Sequence, residues 1–200
     1  EGKAITIRGS VASDGSPTVI IDASSFGRVM LFDSGESSST VIEDVQIANG
    51  FFPGGGGGIR CDASSPTLRN CVIFSNNAQG NGGGIFCSNS NPFIIGCTIR
   101  NNSASINGGG IHCFDLSSPR LLNTVVCGNG PDEIYGDFTD LGNNIISDTC
   151  SFLGACCIDS NCTLNNQEDC EEADGVFQGI GTDCDDDPCF IPPVEGACCT

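Results

Sequence analysis

The sequence predicts an all-β chain: a parallel β-helix solenoid followed by a small disulfide-rich module. Three observations carry this. A six-residue signature occurs three times at a spacing of 26 residues. Apolar residues within each unit alternate with polar ones in short runs, which is the period of a strand and not of a helix. Cysteine and charge then change abruptly near residue 150, which marks a second kind of material.

The repeat organises everything before that boundary. Gly56-Gly57-Gly58-Ile59-Arg60-Cys61 returns as Gly82-Gly83-Gly84-Ile85-Phe86-Cys87 and again as Gly108-Gly109-Gly110-Ile111-His112-Cys113. The second half of the unit repeats too: Ser65 to Ile73 matches Asn91 to Ile99, and Ser118 to Val126 follows with one residue inserted. Upstream, Val41 to Ile47 fits the same frame. Ala4–Ile7, Thr18–Ile21 and Val29–Phe32 look like earlier, less regular turns of the pattern. Glycine runs, Ser-Pro and Asn-Asn separate the short strands, as turn formers do. No segment holds ten residues of helical periodicity.

A 26-residue unit of short strands cannot close a core by itself. Stacking solves this, because each strand then pairs with its equivalent one unit along and like residues form ladders. The expected inward ladders are Ile59/Ile85/Ile111, Cys61/Cys87/Cys113 and Leu68/Ile94/Leu121. Asn76/Asn102/Asn129 should form an asparagine ladder at a corner. Arg60, Phe86 and His112 fall on the outward side of the same strands and form the candidate ligand face.

These motifs resemble right-handed parallel β-helix proteins of the pectin-lyase-like superfamily, over roughly residues 1–150. In particular the chain looks like bacterial surface repeat proteins of the polymorphic outer-membrane-protein type. The resemblance implies a right-handed solenoid at the cell surface or outside the cell. It implies no single activity, because this fold hosts lyases, hydrolases, adhesins and inert spacers.

The second part reads differently. Residues 1–149 carry 14 acids and all 7 bases, whereas residues 150–200 carry 11 acids, no base and 9 of the 15 cysteines. Gly154-Ala155-Cys156-Cys157 returns as Gly196-Ala197-Cys198-Cys199. Residues 151–195 therefore form one Cys-rich module, and residues 196–200 begin a second. Both ends of the chain read as cuts through a longer polypeptide, and residues 1–10 do not have the pattern of a signal peptide. A module this small is held by disulfides more than by burial.

Fifteen cysteines in 200 residues point to an oxidising, extracellular or cell-surface location. Their paired occurrence suggests bridges within a coil, Cys61–Cys71 and Cys87–Cys97. The alternatives are bridges between neighbouring coils, or unpaired inward ladders that act as small hydrophobes. Cys127 is expected to bridge Cys150. Three bridges are expected among Cys156, Cys157, Cys162, Cys170, Cys184 and Cys189.

Charge excludes other classes. With 25 acidic against 7 basic residues and a net charge of −18, the chain lacks the basic footprint of a nucleic-acid binder. Its apolar runs are too short for membrane insertion. A polyuronate lyase needs a base for the α-proton and cations for the carboxylate, yet Lys3 is the sole lysine. A hydrolase needs paired carboxylates, yet residues 63–114 contain no acid. Zinc needs clustered Cys and His, and the one histidine, His112, is isolated. Asp183, Asp185, Asp186 and Asp187 could hold Ca²⁺, although a solvated acidic loop explains them as well. No other cofactor and no catalytic residue is expected. The sequence points to a filament, stalk or adhesin subunit whose copies assemble head to tail. The alternative is a β-helix that binds or degrades an extracellular polysaccharide.

Overall fold

The computed structural model describes residues 4–150, together with the backbone of three tail strands. Short apolar runs and corner residues give each coil up to three principal strands. The first coil contains β1 (Thr6–Arg8), β2 (Val19–Asp22) and β3 (Met30–Phe32). The second contains β4 (Val41–Glu43), β5 (Val45–Ala48), the short β6 (Phe51–Phe52) and β7 (Ile59–Asp62). The third contains β8 (Thr67–Arg69), β9 (Val72–Phe74), β10 (Asn77–Ala78) and β11 (Ile85–Ser88). The fourth contains β12 (Phe93–Ile95), β13 (Thr98–Arg100), β14 (Ser103–Ala104) and β15 (Ile111–Phe114). The last strands are β16 (Arg120–Leu122), β17 (Val125–Cys127), β18 (Ile134–Tyr135), β19 (Thr139–Asp140) and β20 (Ile145–Ser147).

Every pairing among these strands is parallel, and the result is a β-solenoid with three walls. Wall 1 runs β1-β4-β8-β12-β16-β19, wall 2 runs β2-β5-β9-β13-β17-β20, and wall 3 runs β3-β7-β11-β15-β18. A minor sheet, β6-β10-β14, fills one corner. Ala4–Ile7, Thr18–Ile21 and Val29–Phe32 are not three separate turns: they supply the three walls of one coil, paired to β4, β5 and β7.

The register reproduces the repeat. Ile59, Ile85 and Ile111 are partners on wall 3, as are Cys61, Cys87 and Cys113. Ile42, Leu68, Ile94 and Leu121 are partners on wall 1, and Ile47, Ile73, Ile99 and Val126 on wall 2. These columns form one core, in which most members are fully buried. Each such aliphatic side chain contributes about 1.5–3 kcal/mol relative to exposure.

The corners are built from left-handed residues stacked in columns. Asp44, Asn70, Gly96 and Asn123 have φ of 58°, 46°, 59° and 50°, and turn wall 1 into wall 2. Asn49, Ser75, Asn101 and Gly128 do the same at the end of wall 2. Asn and Gly tolerate this region because a short polar side chain or a missing Cβ relieves the clash.

The chain divides into two compact units, Glu1–Thr149 and Cys150–Thr200. In the second, β21 (Gly154–Ile158) pairs antiparallel with β22 (Asn161–Asn165) and β23 (Val176–Ile180). Cys156, Cys157 and Cys162 lie on these strands, with Cys157 opposite Cys162. Cys170, Cys184, Cys189 and the calcium candidates Asp183, Asp185, Asp186 and Asp187 lie outside the described residues.

Candidate functional site

The sequence places Arg60, Phe86 and His112 on one outward column of wall 3, and the structure puts them there in register. Leu31 precedes them and Tyr135 follows. The rings stack along the solenoid: Phe86 and His112 lie 5.3 Å apart, and His112 and Tyr135 5.1 Å apart. Arg60 lies over the Phe86 ring at 4.8 Å and bonds Asp62 at 2.6 Å.

The expectation of an open face for a sugar is corrected by burial. Phe86 is 8% exposed and His112 4%. The glycine-rich loop before β7 folds over Phe86, so closely that a Cβ on Gly55 would reach Phe86 Cδ2 at 2.7 Å. Strand alternation tells which side of a wall a residue takes, not whether a loop covers that side. His112 Nδ1 is buried without a hydrogen-bond partner, and burial lowers the imidazole's pKa against a smaller opposing pull from Asp132. Phe114 and Tyr135, at half exposure, are the open part of the aromatic cluster.

All the described arginines are engaged with neighbouring residues. Arg28, Arg100 and Arg120 lie over Phe52, Phe74 and Phe93, as Arg60 does over Phe86. Arg8 and Arg69 flank buried Glu43, at 2.6 and 3.4 Å. Each of these pairs joins one rung to the next. Sequence reasoning missed them, although Arg60/Phe86 and Phe74/Arg100 sit one repeat apart.

Two polar columns close the corners. In the first, Asn76 Nδ2 donates to Asn102 Oδ1 at 2.9 Å, and Asn102 Nδ2 donates to Asn129 Oδ1 at 2.9 Å. Glu133 ends this column by accepting from the backbone N–H of Asn129 at 2.9 Å and from its Nδ2. Burial raises the Glu133 pKa. In the second, the backbone N–H of Ser64 donates to Ser90 Oγ and that of Ser90 to Ser117 Oγ, each at 3.0 Å. The serine column and the Glu133 terminus were not anticipated; serine at one-repeat spacing was the available signal for the former.

The cysteines fall in two columns. Cys61, Cys87 and Cys113 point inward on wall 3. Cys71 and Cys97 sit at the corner between walls 1 and 2, with Thr124 Oγ1 in the next rung accepting from the Cys97 N–H at 3.4 Å. All five are buried free thiols. Cys61 and Cys71 are therefore not bonded to each other, nor Cys87 to Cys97. A repeat preserves two independent columns as faithfully as one bonded pair, which explains why the cysteines recur together. Cys127 and Cys150 are disulfide-bonded.

Among the described residues no group of three His, Cys, Asp or Glu side chains is placed to hold a metal ion, and no helix is long and apolar enough to cross a membrane. The chain matches no protein-family model, no curated protein and no solved structure. What defines it is its own geometry: a repeat protein of the parallel β-solenoid class, with polar corner columns and rung-to-rung cation–π pairs.

Proposed function

We propose that the chain is a secreted or cell-surface structural element, a filament, stalk or adhesin segment, whose copies join end to end. One observation carries this. Ile7 starts the inward column that continues through Ile42, Leu68, Ile94 and Leu121; those four are fully buried, whereas Ile7 is 38% exposed. At the opposite end Ile146, which continues the inward column of Val126, is 42% exposed. Terminal strands of a parallel sheet carry backbone donors and acceptors that another strand can use. The two ends share one architecture, so a second copy can continue the register of the first. Such a head-to-tail contact propagates as an open fibre.

The resemblance to surface β-helix proteins of the pectin-lyase-like and polymorphic outer-membrane types supports the location, as do the fifteen cysteines. Binding or degradation of a polysaccharide is the lesser reading. Its candidate face at Phe86 and His112 is covered, and the described arginines are paired with aromatic rings or Glu43.

The test is sedimentation and electron microscopy of the full chain across a concentration series, beside I7K. The wild type should form fibres. The variant should stay monomeric with its β-sheet circular dichroism retained, because the lysine places a charge on the joint. A wild type that remains monomeric at high concentration overturns the proposal, as does a variant that still forms fibres.

A further inference from the structure

The two thiol columns have no part in the end-to-end joint, and they carry an inference independent of it. We infer that Cys61–Cys87 and Cys71–Cys97 are rung-to-rung disulfide sites, oxidised by exchange with a small-molecule disulfide such as glutathione disulfide, with Cys113 left as a thiol.

Register comes first. Cys61 and Cys87 are direct partners in a parallel ladder. The amide after Cys97, on Thr98, bonds the Cys71 carbonyl at 2.9 Å, so the corner pair is stacked in the same way. Neighbouring strands lie about 4.8 Å apart, inside the Cα separations that disulfides span. Side-chain direction decides next. Parallel neighbours project the same way, so the two thiols of each pair stand side by side on one face of the ladder; at the corner Cys71 Sγ donates to the carbonyls of Ile42 and Arg69, and Cys97 Sγ to that of Ile95. Cys113 is the partner of Cys87 on its other side in the same register, and the pairing assigned to this column is Cys61 with Cys87, whose thiols interact the more closely.

The chemistry balances. One cysteine thiolate attacks the oxidant's disulfide, forming a mixed disulfide and releasing one small thiolate. The neighbouring cysteine thiolate then attacks the mixed disulfide, and the second small thiolate leaves. Each bridge passes two electrons and two protons from the protein to one small-molecule disulfide, which becomes two thiols. In the closed rungs the hydrogen bond with Cys97 holds the Cys71 thiol below the usual value, whereas burial pushes Cys97 well up. Burial likewise pushes up Cys113, which suppresses its attack on a finished Cys61–Cys87 bridge. Cys61 and Cys87 are fully buried, so exchange proceeds while the rungs are still closing on each other during folding.

The experiment maps bridges in the full chain, refolded in a buffer of reduced and oxidised glutathione, quenched with acid and alkylated. Trypsin cuts at Arg60 and Arg69, and chymotrypsin cuts at Phe74, Phe86 and Phe93, so the four cysteines fall on separate peptides. The expected products are Cys61 linked to Cys87 and Cys71 linked to Cys97, with Cys113 alkylated. Cys61–Cys71 with Cys87–Cys97, or Cys87–Cys113 with Cys61 alkylated, or alkylation of all five, overturns the inference. A second arm uses C87S. Rung pairing releases the Cys61 thiol and leaves Cys71–Cys97 intact; release of Cys97 instead refutes it.

Discussion

Replacing Asn102 with alanine should cost far more than its small change in volume suggests. Asn102 is 2% exposed and uses both hydrogens of its amide and both lone pairs of its carbonyl. Its Oδ1 accepts from Asn76 N at 3.0 Å and from Asn76 Nδ2 at 2.9 Å. Its Nδ2 donates to Ile73 O and to Asn129 Oδ1, both at 2.9 Å. Alanine removes all four bonds. Asn129 Oδ1 keeps the backbone N–H of residue 102, so three buried groups lose a partner: Asn76 N–H, one hydrogen of Asn76 Nδ2, and Ile73 C=O. At about 1–1.5 kcal/mol for each, N102A should lose about 3–4 kcal/mol. Urea unfolding followed by circular dichroism measures this as a fall in midpoint at constant slope. The neighbouring S103A, at an exposed side chain, is the control and should stay within about 0.5 kcal/mol. If N102A loses less than about 1 kcal/mol, water replaces the amide at no cost and the column does not hold this corner.

Two further substitutions probe the corners and the aromatic column. A Cβ on Gly83 would run into the carbonyl oxygens of Ser103 and Gly109, whereas one on Gly96 would meet open space. Thermal melts should therefore show G83A severely destabilised and G96A losing only the left-handed backbone penalty, about 1–2 kcal/mol, with G96N nearly neutral. Burial depresses the folded-state pKa of His112, so the unfolded chain binds the proton more readily. Stability from this residue is present above the ordinary value of about 6.5 and is lost as pH falls through it. Melting temperatures between pH 8 and 5 should decline more steeply for the wild type than for H112F, which keeps the ring and removes the titration; parallel curves would refute the assignment.

The inward columns were legible because a solenoid converts sequence period into spatial register. A spacing of 26 residues makes Ile59, Ile85 and Ile111 neighbours whatever the loops do. The same logic reached the Asn76/Asn102/Asn129 column. It stopped where the coil departs from the period: Glu133 caps the asparagines from a turn four residues past Asn129, and no repeat predicts it. It also stopped where the third dimension intrudes. Phe86 and His112 alternate outward as read, but both are buried, Phe86 beneath the loop at Gly55, and a run of glycines states that backbone can approach without stating what it approaches. The pairing of the cysteines stayed open for a third reason. Co-occurrence of Cys61 with Cys71 is compatible with a bond inside a coil and with two separate columns, and the repeat alone does not separate these.

The use made of the arginines ties the fold to the proposed role. A flat parallel wall has no side-chain interlock along its long axis beyond the core columns, and each rung could shear against the next. Arg60 over Phe86, Phe74 under Arg100 and Phe93 under Arg120 each cross one rung boundary on the outside of a wall. A guanidinium on an aromatic face contributes about 0.5–1 kcal/mol when exposed and more when desolvated. Glu43 between Arg8 and Arg69 spans two boundaries at once. Inside, the asparagine and serine columns cross the same boundaries with buried hydrogen bonds. Rung is thus fixed to rung at the outer walls and at the corners, independently of the core. In the proposed role these cross-rung contacts would oppose shear between neighbouring rungs. The same pairings take the arginines out of play for an anionic ligand, so the cross-rung ties and the lack of a free cationic cluster among the described residues have one physical cause.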